Sequence, residues 1–344
     1  TDLEDQARLF PKGLTFDKPE QQEKWVRNWL RDKANLSKED ATNFKMKFYP
    51  ARYSPLLGSV FHRQVMVDLT SDKVIPDAEA DVAILEEPEH LNWFHHGGRW
   101  TDQFSHVVGI VHTNYLEYSQ KDDQRDFLVS AGQPVVTSLL NQITCQFTDV
   151  NIKLSGVLMK LPRDKVMNVN GVQPRFLDIG KKVHADLQRP NSKSPFPKGA
   201  YFLGKALWAK GYTEFLEAYN ELQDRWPGEL DLYGSGEDQE AIREAAEKAG
   251  APFTFHEGTD HAGPEIQQYK VFVNPSQSEV LCTATAEALA MGKVCVIAKH
   301  TSNEFFEQFS NVYTFSNPQE LRERLQKALQ EDPKPLSDDE RRIL

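Results

Sequence analysis

Strand-like and helix-like segments alternate regularly after residue 198, and this alternation restricts the possible folds more than any other feature of the sequence. The apolar runs AYFLG, LDLYG, FTFH, YKVFVN, KVCVIA and NVYTF have the length of strands. Segments with apolar residues at helical spacing lie among them, such as YTEFLEAYNELQDRW and PQELRERLQKALQ. The pattern predicts a doubly wound parallel sheet, an α/β fold that binds ligands beyond the carboxyl ends of its strands.

Length and charge limit the class of protein. The chain has 344 residues, enough for about two domains, and a net charge of −11 with acids and bases interspersed. Phosphate backbones need a basic surface, so nucleic acid is not expected as the main partner. A local basic pocket for one small anion is compatible with this charge.

The cysteines and the apolar runs indicate the redox compartment of the chain and the kind of membrane contact it can make. Cys145, Cys282 and Cys295 form no CxxC pair, which argues against a disulfide framework and a structural zinc site and favours a reducing compartment. No apolar run approaches the roughly 18 residues that span a bilayer, so any membrane contact is expected to be peripheral. The first residues resemble neither a signal peptide nor a basic transit peptide.

The first half of the chain has a mixed pattern. Residues 81–85 and 106–112 are short apolar runs typical of fully buried parallel strands. An amphipathic segment covers about 125–147, and Pro134 predicts that its regular helix starts there. The three prolines in 187–198 mark a linker. We therefore expect an N-terminal Rossmann-like domain over 1–190 and a C-terminal one over 191–344.

Two segments beyond predicted strands suit an anionic ligand. In LGKALWAKGY, Lys205 and Lys210 stand beside glycines and could neutralise a diphosphate, although surface lysines are usually only solvated. In YGSGED, Gly234 and Gly236 allow a ligand to approach the backbone. That segment by itself favours an ordinary tight turn.

Two segments of the first half carry polar side chains beyond strands. His112 is expected to project at the carboxyl end of one predicted strand and suits a polar ligand or a loop cap equally well. The loop 86–100 holds three histidines and three glutamates, but their spacing matches no metal motif, so no metal is expected. Trp93, Phe94 and Trp100 in that loop are candidates for contact with a sugar ring or a lipid. The alternative is a large ordered loop that closes the domain.

The segment SEVLCTATAEALAMG places two acids in an apolar run. Glu279 is expected in a loop and Glu287 one turn inside the following helix, with Thr283 as N-cap. Amides near 281–283 then form an anion site between the two acids. Both carboxylates suit the vicinal hydroxyls of sugars. The alternative is two unrelated glutamates, which is less attractive in so apolar a segment.

These segments together resemble a known family. LGKALWAKGY, LDLYGSGED, FVNPSQSEVLCTATAEALAMGK and VNGVQPRF are similar, in this order, to the retaining glycosyltransferases of family 4, whose Glu-x7-Glu signature matches Glu279 and Glu287. AILEEPEHLNWFHH, RWTDQFSHVVGIVHTNYLEY and SNEFF resemble the galactolipid-synthesising branch of that family in plants and algae. The resemblance covers nearly the whole chain and is loose at 119–165.

The resemblance implies a GT-B fold, with two Rossmann-like domains facing across a cleft. It implies transfer of galactose from UDP-galactose to monogalactosyldiacylglycerol, giving digalactosyldiacylglycerol, by a peripheral enzyme on the cytosolic face of the plastid outer envelope. It implies retention of configuration without a metal or another cofactor, with the leaving diphosphate helping to deprotonate the incoming hydroxyl.

The resemblance also assigns roles to residues. Lys205 and Lys210 would hold the diphosphate, Glu287 the ribose hydroxyls and Glu279 the galactose hydroxyls. His112 would face the sugar from the N-terminal domain. The implied donor-binding residues are Gly204, Lys205, Lys210, Gly234, Gly236, Leu281, Cys282, Thr283 and Glu287.

The sequence departs from the family pattern in three places. Many members have glycine near Cys282, where this chain has LCTATAE. The family's first strand with its glycine-rich loop and its last crossing helix have no counterpart here, so the chain is expected to be a fragment with an incomplete N-terminal domain. Another family-4 enzyme with a different acceptor, or a non-catalytic protein that binds UDP-sugar or lipid, is the alternative function.

Overall fold

The chain contains two sheets built from parallel strands. The structure is a computed structural model that describes residues 3–10, 14–34, 36–48, 51–54, 59–62, 74–92, 97–114, 127–190, 194–277 and 279–344. The described residues fall into two units. The first runs to Lys153 and includes Met159–Lys165, and the second holds Leu154–Leu158 and Val166–Leu344.

The first unit carries the sheet β3-β4-β5-β6 and a separate antiparallel pair, β1 with β2. Its strands are β1 (Ala51–Ser54), β2 (Ser59–His62), β3 (Val82–Glu86), β4 (His106–Val111), β5 (Val150–Lys153) and β6 (Asp164–Val166), the last of which ends one residue into the second unit. Its helices are α1 (Leu3–Leu9), α2 (Pro19–Asp32), α3 (Lys38–Asn43), α4 (Pro88–Asn92), α5 (Trp100–Gln103) and α6 (Phe127–Thr144).

Two expectations for this unit are corrected. Strands β3 and β4 pair in parallel as predicted, but Val82 and Ile84 of β3 are exposed, because exposed and buried side chains alternate along β3 and only one of its faces is buried. Helix α6 begins at Phe127 and runs through Pro134. Proline disfavours a helix interior by about 3 kcal/mol, so the tertiary contacts of the helix, such as that of Gln142 with Lys160, outweigh the local penalty.

The second unit carries six parallel strands in the order β12-β11-β10-β7-β8-β9. These are β7 (Lys198–Leu203), β8 (Leu230–Tyr233), β9 (Phe253–His256), β10 (Tyr269–Asn274), β11 (Val294–Ala298) and β12 (Val312–Phe315). The helices are α7 (Pro174–Leu187), α8 (Tyr212–Leu222), α9 (Gln239–Ala249), α10 (Pro264–Gln267), α11 (Thr283–Ala290), α12 (Pro318–Gln330) and α13 (Asp338–Ile343). The alternation predicted from the sequence is confirmed.

The order of the strands fixes where a ligand can bind in this unit. Strand β7 pairs with β8 on one side and with β10 on the other, so the chain winds outward in both directions from β7 and β10. The crevice beyond the carboxyl ends of these two strands is the usual ligand position of such a sheet. A core of buried residues such as Phe202, Phe215 and Val271 supports it from one face.

The division into units lies near residue 165, whereas the sequence placed the domain boundary at 190/191. Helix α7 belongs to the second unit because it packs tightly against the end of α11. A β-carbon on Gly180 would lie 2.1 Å from the carbonyl oxygen of Ala290, so only glycine permits this approach. The proline-rich segment therefore joins α7 to β7 inside the second unit.

The helix termini follow the sequence with one exception. The side chain of Asn317 accepts a hydrogen bond from the amide of Glu320 at 2.9 Å, with Pro318 as the first residue of α12, as predicted. Thr283 was expected to cap α11, but it is the first helical residue. Cys282 occupies the N-cap position and makes no side-chain capping bond.

Candidate functional site

The loops after β7 and β8 are joined by backbone hydrogen bonds. The amide of Gly204 donates to the carbonyl of Tyr233 at 3.0 Å, and the amide of Ala206 donates to that of Ser235 at 3.2 Å. Asp238 completes the connection, because its carboxylate accepts from the amide of Trp208 at 2.9 Å. Sequence reasoning missed Asp238, which holds the N-cap position of α9 without a side-chain capping bond, so local capping chemistry does not reveal its contact with Trp208.

Gly234 and Gly236 are required by this contact between the loops. A β-carbon on Gly234, whose φ is +151°, would lie 1.7 Å from the carbonyl oxygen of Gly204. One on Gly236 would lie 2.4 Å from that of Ala206. The glycines thus allow one loop to approach another, in agreement with the tight-turn reading of the sequence. Their proximity to a nucleotide base stays a prediction.

Gly211 has a similar role between β7 and β10. It has a φ of +100°, and a β-carbon there would lie 2.6 Å from Cγ of Pro275 and 2.9 Å from the amide nitrogen of Ser276. The start of α8 therefore lies directly against the loop that follows β10. This contact brings Lys210, which precedes Gly211, close to the loop that carries Glu279.

Lys210 and Glu279 form an ion pair in which Nζ lies 2.8 Å from Oε1. Their side chains are about one-fifth exposed, at 23% and 21%, so solvent or a ligand reaches both. The pair joins the loops after β7 and β10, at the point where the strand order reverses. The structure therefore brings together two residues that the sequence analysis selected separately.

Lys205 lies in the same loop as Lys210 but in different surroundings. It is exposed and makes no side-chain hydrogen bond or ion pair with a residue that the structure describes. An exposed ammonium on a flexible stem can reach an anion at the edge of the sheet. Its assignment to the diphosphate stays a prediction.

The start of α11 combines buried and accessible groups. Leu281 and Cys282 are buried, whereas the side chain of Thr283 is exposed. Burial raises the pKa of the Cys282 thiol to about 11, which favours the neutral thiol over the reactive thiolate. The first turn of a helix has amides without an intrahelical acceptor, and these attract an anion.

Glu287 lies within α11 and contacts His261, which sequence reasoning missed. Its Oε2 accepts a hydrogen bond from Nδ1 of His261, a residue in the loop between β9 and α10. The two side chains are 22% and 38% exposed. The one usable signal in the sequence is position, because the segment EGTDHAGPEI, which contains His261, follows a strand of the predicted sheet.

His112 belongs to the first unit and has partners of its own there. Its Nε2 contacts the carboxylate of Glu86, and the hydroxyl of the neighbouring Thr113 donates to Glu87 at 2.5 Å. These residues follow β4 and end or follow β3, so they share the carboxyl edge of the first sheet. His112 thus lies where the sequence predicted, at the end of its strand.

The loop 86–100 holds a buried acid and a buried tryptophan. Glu89 is 1% exposed, and both of its carboxylate oxygens lack a hydrogen-bond partner among the described residues. Burial raises the pKa of Glu89 to about 8. Trp100 is also buried and donates to Asn92 at 2.9 Å, so its suggested contact with lipid is wrong. Trp93 and Phe94 lie outside the described residues.

No group of three or more His, Cys, Asp or Glu side chains within the described ranges is arranged to hold a metal ion. His95 and His96 fall outside those ranges. The described polar groups at the carboxyl edge of the second sheet include two lysines, two glutamates, a histidine and helix-start amides, a set suited to hydroxyls and an anion.

Comparison with known proteins shows the family to which the chain belongs. A family model described as "Glycosyl transferases group 1" matches residues 197–331, the stretch that contains the strands of the second sheet. Digalactosyldiacylglycerol synthase 2, chloroplastic, of Lotus japonicus is 41% identical over 343 residues, which are 99% of this chain and 71% of that protein. The chain belongs to the digalactosyldiacylglycerol synthase family.

Family members differ in length. Digalactosyldiacylglycerol synthase 1, chloroplastic, of Lotus japonicus is 43% identical over 341 residues, which are 98% of this chain but 41% of that protein. The chain thus spans about two-fifths of the length of the synthase 1 relatives that it matches.

The fold is shared with a solved structure of much lower identity. The structure of Anabaena Alr3699/HepE in complex with UDP and glucose is 13% identical, with a TM-score of 0.55, and the match covers 92% of this chain and 89% of that one. This likeness, together with two α/β units that each contain a sheet of parallel strands, shows a GT-B fold.

Proposed function

We propose that the chain is a retaining galactosyltransferase that moves galactose from UDP-galactose to monogalactosyldiacylglycerol and forms digalactosyldiacylglycerol. The observation that carries the proposal is the Lys210–Glu279 pair at the strand-order reversal of the second sheet, in a chain of the digalactosyldiacylglycerol synthase family. The pair combines a cation for a phosphate with an acceptor for hydroxyl groups in one crevice.

In this proposal, different residues at the carboxyl edge of the second sheet bind different parts of the donor. Lys205, Lys210 and the amides of 281–283 hold the diphosphate, Glu287 accepts from the ribose hydroxyls, and Glu279 accepts from the galactose hydroxyls. Their positions beyond β7 and β10 and within α11 support this division. Gly204, Gly234 and Gly236 complete the donor site by shaping the loops around it.

The reaction in this proposal needs no metal. The acceptor hydroxyl oxygen bonds to C1 of galactose on the face that the diphosphate leaves, its proton passes to a departing diphosphate oxygen, and UDP is released. The protein then has to stabilise the charge that develops on the diphosphate. Lysines and helix-start amides do so without reorganisation, which is usually the largest catalytic contribution of an active site. A role of His112 toward the sugar is part of the same proposal.

A glycolipid acceptor requires contact with a membrane, and helix α6 offers a surface for it. Among the described residues no helix is both long and apolar enough to cross a membrane. The polarity of α6 is inverted, since Thr137, Asn141 and Thr144 are buried. Among the described side chains of this helix, 135–144, the exposed ones are aliphatic: Val135, Val136, Leu139, Leu140 and Ile143.

The charge around α6 favours an anionic lipid surface. Residues 127–144 contain no acidic or basic residue. Two exposed basic residues, Lys160 and Arg163, border the end of the helix. The side chain of Gln142 donates to the carbonyl oxygen of Lys160. The guanidinium of Arg163 donates to the carbonyl oxygen of Gln146, just after the helix. An aliphatic face with a basic border suits the interface of an anionic bilayer. We propose this face as the peripheral membrane contact.

The place of action is part of the same proposal. The relatives carry "chloroplastic" in their names. We propose that this chain acts at the plastid outer envelope from its cytosolic face, where the donor in solution and the acceptor in the bilayer can meet.

Incubation with UDP-galactose and monogalactosyldiacylglycerol in vesicles tests the proposed function. A digalactosyl product supports it. Transfer to another acceptor alone would indicate a different glycosyltransferase of the same fold. Binding of UDP without turnover on any glycolipid acceptor would indicate a non-catalytic binding protein.

A further inference from the structure

The carboxylate of Glu287 is held on one side only. Its Oε2 accepts the hydrogen bond from His261, and no described residue donates to the other oxygen. Because an ionised carboxylate only accepts hydrogen bonds, Nδ1 of His261 must carry the hydrogen. One oxygen is thus fixed by the protein, and the other is available to a ligand hydroxyl.

The loop that carries His261 has its own internal bonds. The carboxylate of Asp260 accepts from the amide of Ala262 at 3.1 Å, and the carbonyl of Asp260 accepts from the amide of Gly263 at 2.8 Å. Arg175 of α7 also pairs with Asp260, at 3.1 Å. The loop is therefore held on both sides of His261 by contacts that do not involve Glu287.

A second anchor lies at the end of α10, directly after this loop. Lys293 is fully buried, and its Nζ donates to the carbonyl oxygen of Ile266 at 2.8 Å. Nζ of Lys293 also lies 5.4 Å from the ring centroid of Phe196 and 5.5 Å from that of Tyr201, within the range of a cation–π contact. A buried side chain fixes α10, and α10 fixes the end of the loop.

We propose that His261 is a positioning residue for the donor ribose. By donating to one oxygen of Glu287, it holds the carboxylate in a single orientation with the second oxygen directed to the ribose hydroxyls. Without this bond, the side chain of Glu287 samples several rotamers, and donor binding has to restrict them at the cost of affinity. This inference rests on the proposed function, which assigns Glu287 to the ribose.

The test compares the binding of UDP and of 2′-deoxy-UDP by isothermal titration calorimetry. In the unaltered chain, loss of the 2′-hydroxyl is expected to weaken binding about tenfold, the usual effect of a hydrogen bond to a charged group. In His261→Ala the same loss is expected to matter about two-fold or less, because the carboxylate is no longer oriented. His261→Asn keeps a donor near the position of Nδ1 and is expected to restore most of the sensitivity.

His184→Ala is the matched control, since His184 lies on α7 and its side chain bonds only that of Gln188 within the described residues. It is expected to leave both affinities unchanged. Melting temperatures of all variants show whether a loss of binding reflects misfolding.

The outcomes separate this inference from the proposed function. If the unaltered chain discriminates the two nucleotides and His261→Ala discriminates them equally well, His261 does not position Glu287, while the donor site stands. Tighter UDP binding by His261→Ala would show a competing contact and would also overturn the inference. If the unaltered chain does not respond to the 2′-hydroxyl, or Glu287→Ala binds UDP normally, the assignment of Glu287 fails and the inference fails with it.

Discussion

Nζ of Lys210 lies 2.8 Å from Oε1 of Glu279, and this pair connects the two loops between which the strand order of the second sheet reverses. Neither residue belongs to a strand. Lys210 ends the short 3₁₀ turn Trp208–Lys210, and Glu279 lies in the loop after β10. The close contact of Gly211 with Pro275 and Ser276 keeps these loops together.

Loss of the Lys210 charge is expected to impair turnover more than folding. Lys210→Met removes a cation from the proposed diphosphate site, and removal of one preorganised charge-stabilising group typically lowers kcat by about 10²–10³-fold. The rate of galactosyl transfer measures this effect. Lys248→Met, at the exposed end of α9, is the control and is expected to keep full activity. Normal turnover by Lys210→Met would contradict the proposed role.

Removal of the Glu287 carboxylate is expected to abolish measurable UDP binding. Glu287→Ala deletes the acceptor proposed for the ribose hydroxyls, and calorimetric titration with UDP is the measurement. Glu244→Ala is the control, because Glu244 is an exposed glutamate in the middle of α9. An unchanged UDP affinity in Glu287→Ala would remove the basis of the donor-site assignment.

Two glycine substitutions separate crowding from backbone conformation. Gly234 and Gly250 both have positive φ, but a β-carbon on Gly234 would clash with Gly204, whereas one on Gly250 meets nothing within 4 Å. Gly250→Ala is expected to cost about 1 kcal/mol of unfolding free energy, as for a helix C-terminal glycine. Gly234→Ala is expected to cost at least about 3 kcal/mol. Chemical denaturation measures both, and equal costs would show that the loop contact is not tight.

The exposed face of α6 is expected to govern vesicle binding. The double change Leu139→Ser and Ile143→Ser removes two exposed aliphatic side chains and is expected to reduce co-flotation with anionic vesicles severalfold, since binding scales with buried apolar area. UDP affinity is expected to stay unchanged. Ile343→Ser, an exposed aliphatic position on α13, is the control.

Three results of the flotation assay would contradict the membrane assignment. One is unchanged flotation of the double variant. Another is equal loss in the Ile343→Ser control. A third is a change of oligomeric state in the double variant with no change in flotation, which would indicate that α6 contacts a second copy of the chain.

The buried carboxyl of Glu89 is expected to make stability depend on pH. Burial raises its pKa from 4.5 to about 8, so the folded chain retains a proton that the unfolded chain releases. The contribution of Glu89 to the free energy of unfolding is therefore highest below about pH 4.5, falls as the pH rises from there, and levels off above about pH 8. Glu89→Gln mimics the neutral acid and is expected to lose this dependence.

Melting temperatures measured across that pH window check the prediction. The Gln variant is expected to gain stability relative to the unaltered chain as the pH rises, by an amount on the order of a few kcal/mol. Glu39→Gln, an exposed position on α3, is expected to follow the unaltered chain at every pH. Parallel curves for Glu89→Gln and the unaltered chain would show that Glu89 is ionised when folded.

Local pattern predicted the second unit well and the first unit less well. The strands and helices after residue 198 repeat a period that the sequence displays directly, and Asn317 with Pro318 marks a helix start by local chemistry. By contrast, Val82 and Ile84 look like buried strand residues, and only the tertiary structure shows that their face of β3 is exposed. Pro134 signals a helix start that the surrounding contacts override.

The sequence by itself determined the alternating fold of the second unit, the placement of Lys205, Lys210, Glu279 and Glu287 near strand ends and a helix start, and the resemblance to a family. These features depend on the spacing of residues along the chain, which the sequence shows directly. Only the tertiary structure decided that Lys210 pairs with Glu279 and His261 with Glu287. It also decided that Gly234 and Gly236 serve the contact of two loops, that Trp100 is buried, and that α7 joins the second unit. Such contacts join residues far apart in sequence, and packing, not local pattern, selects them.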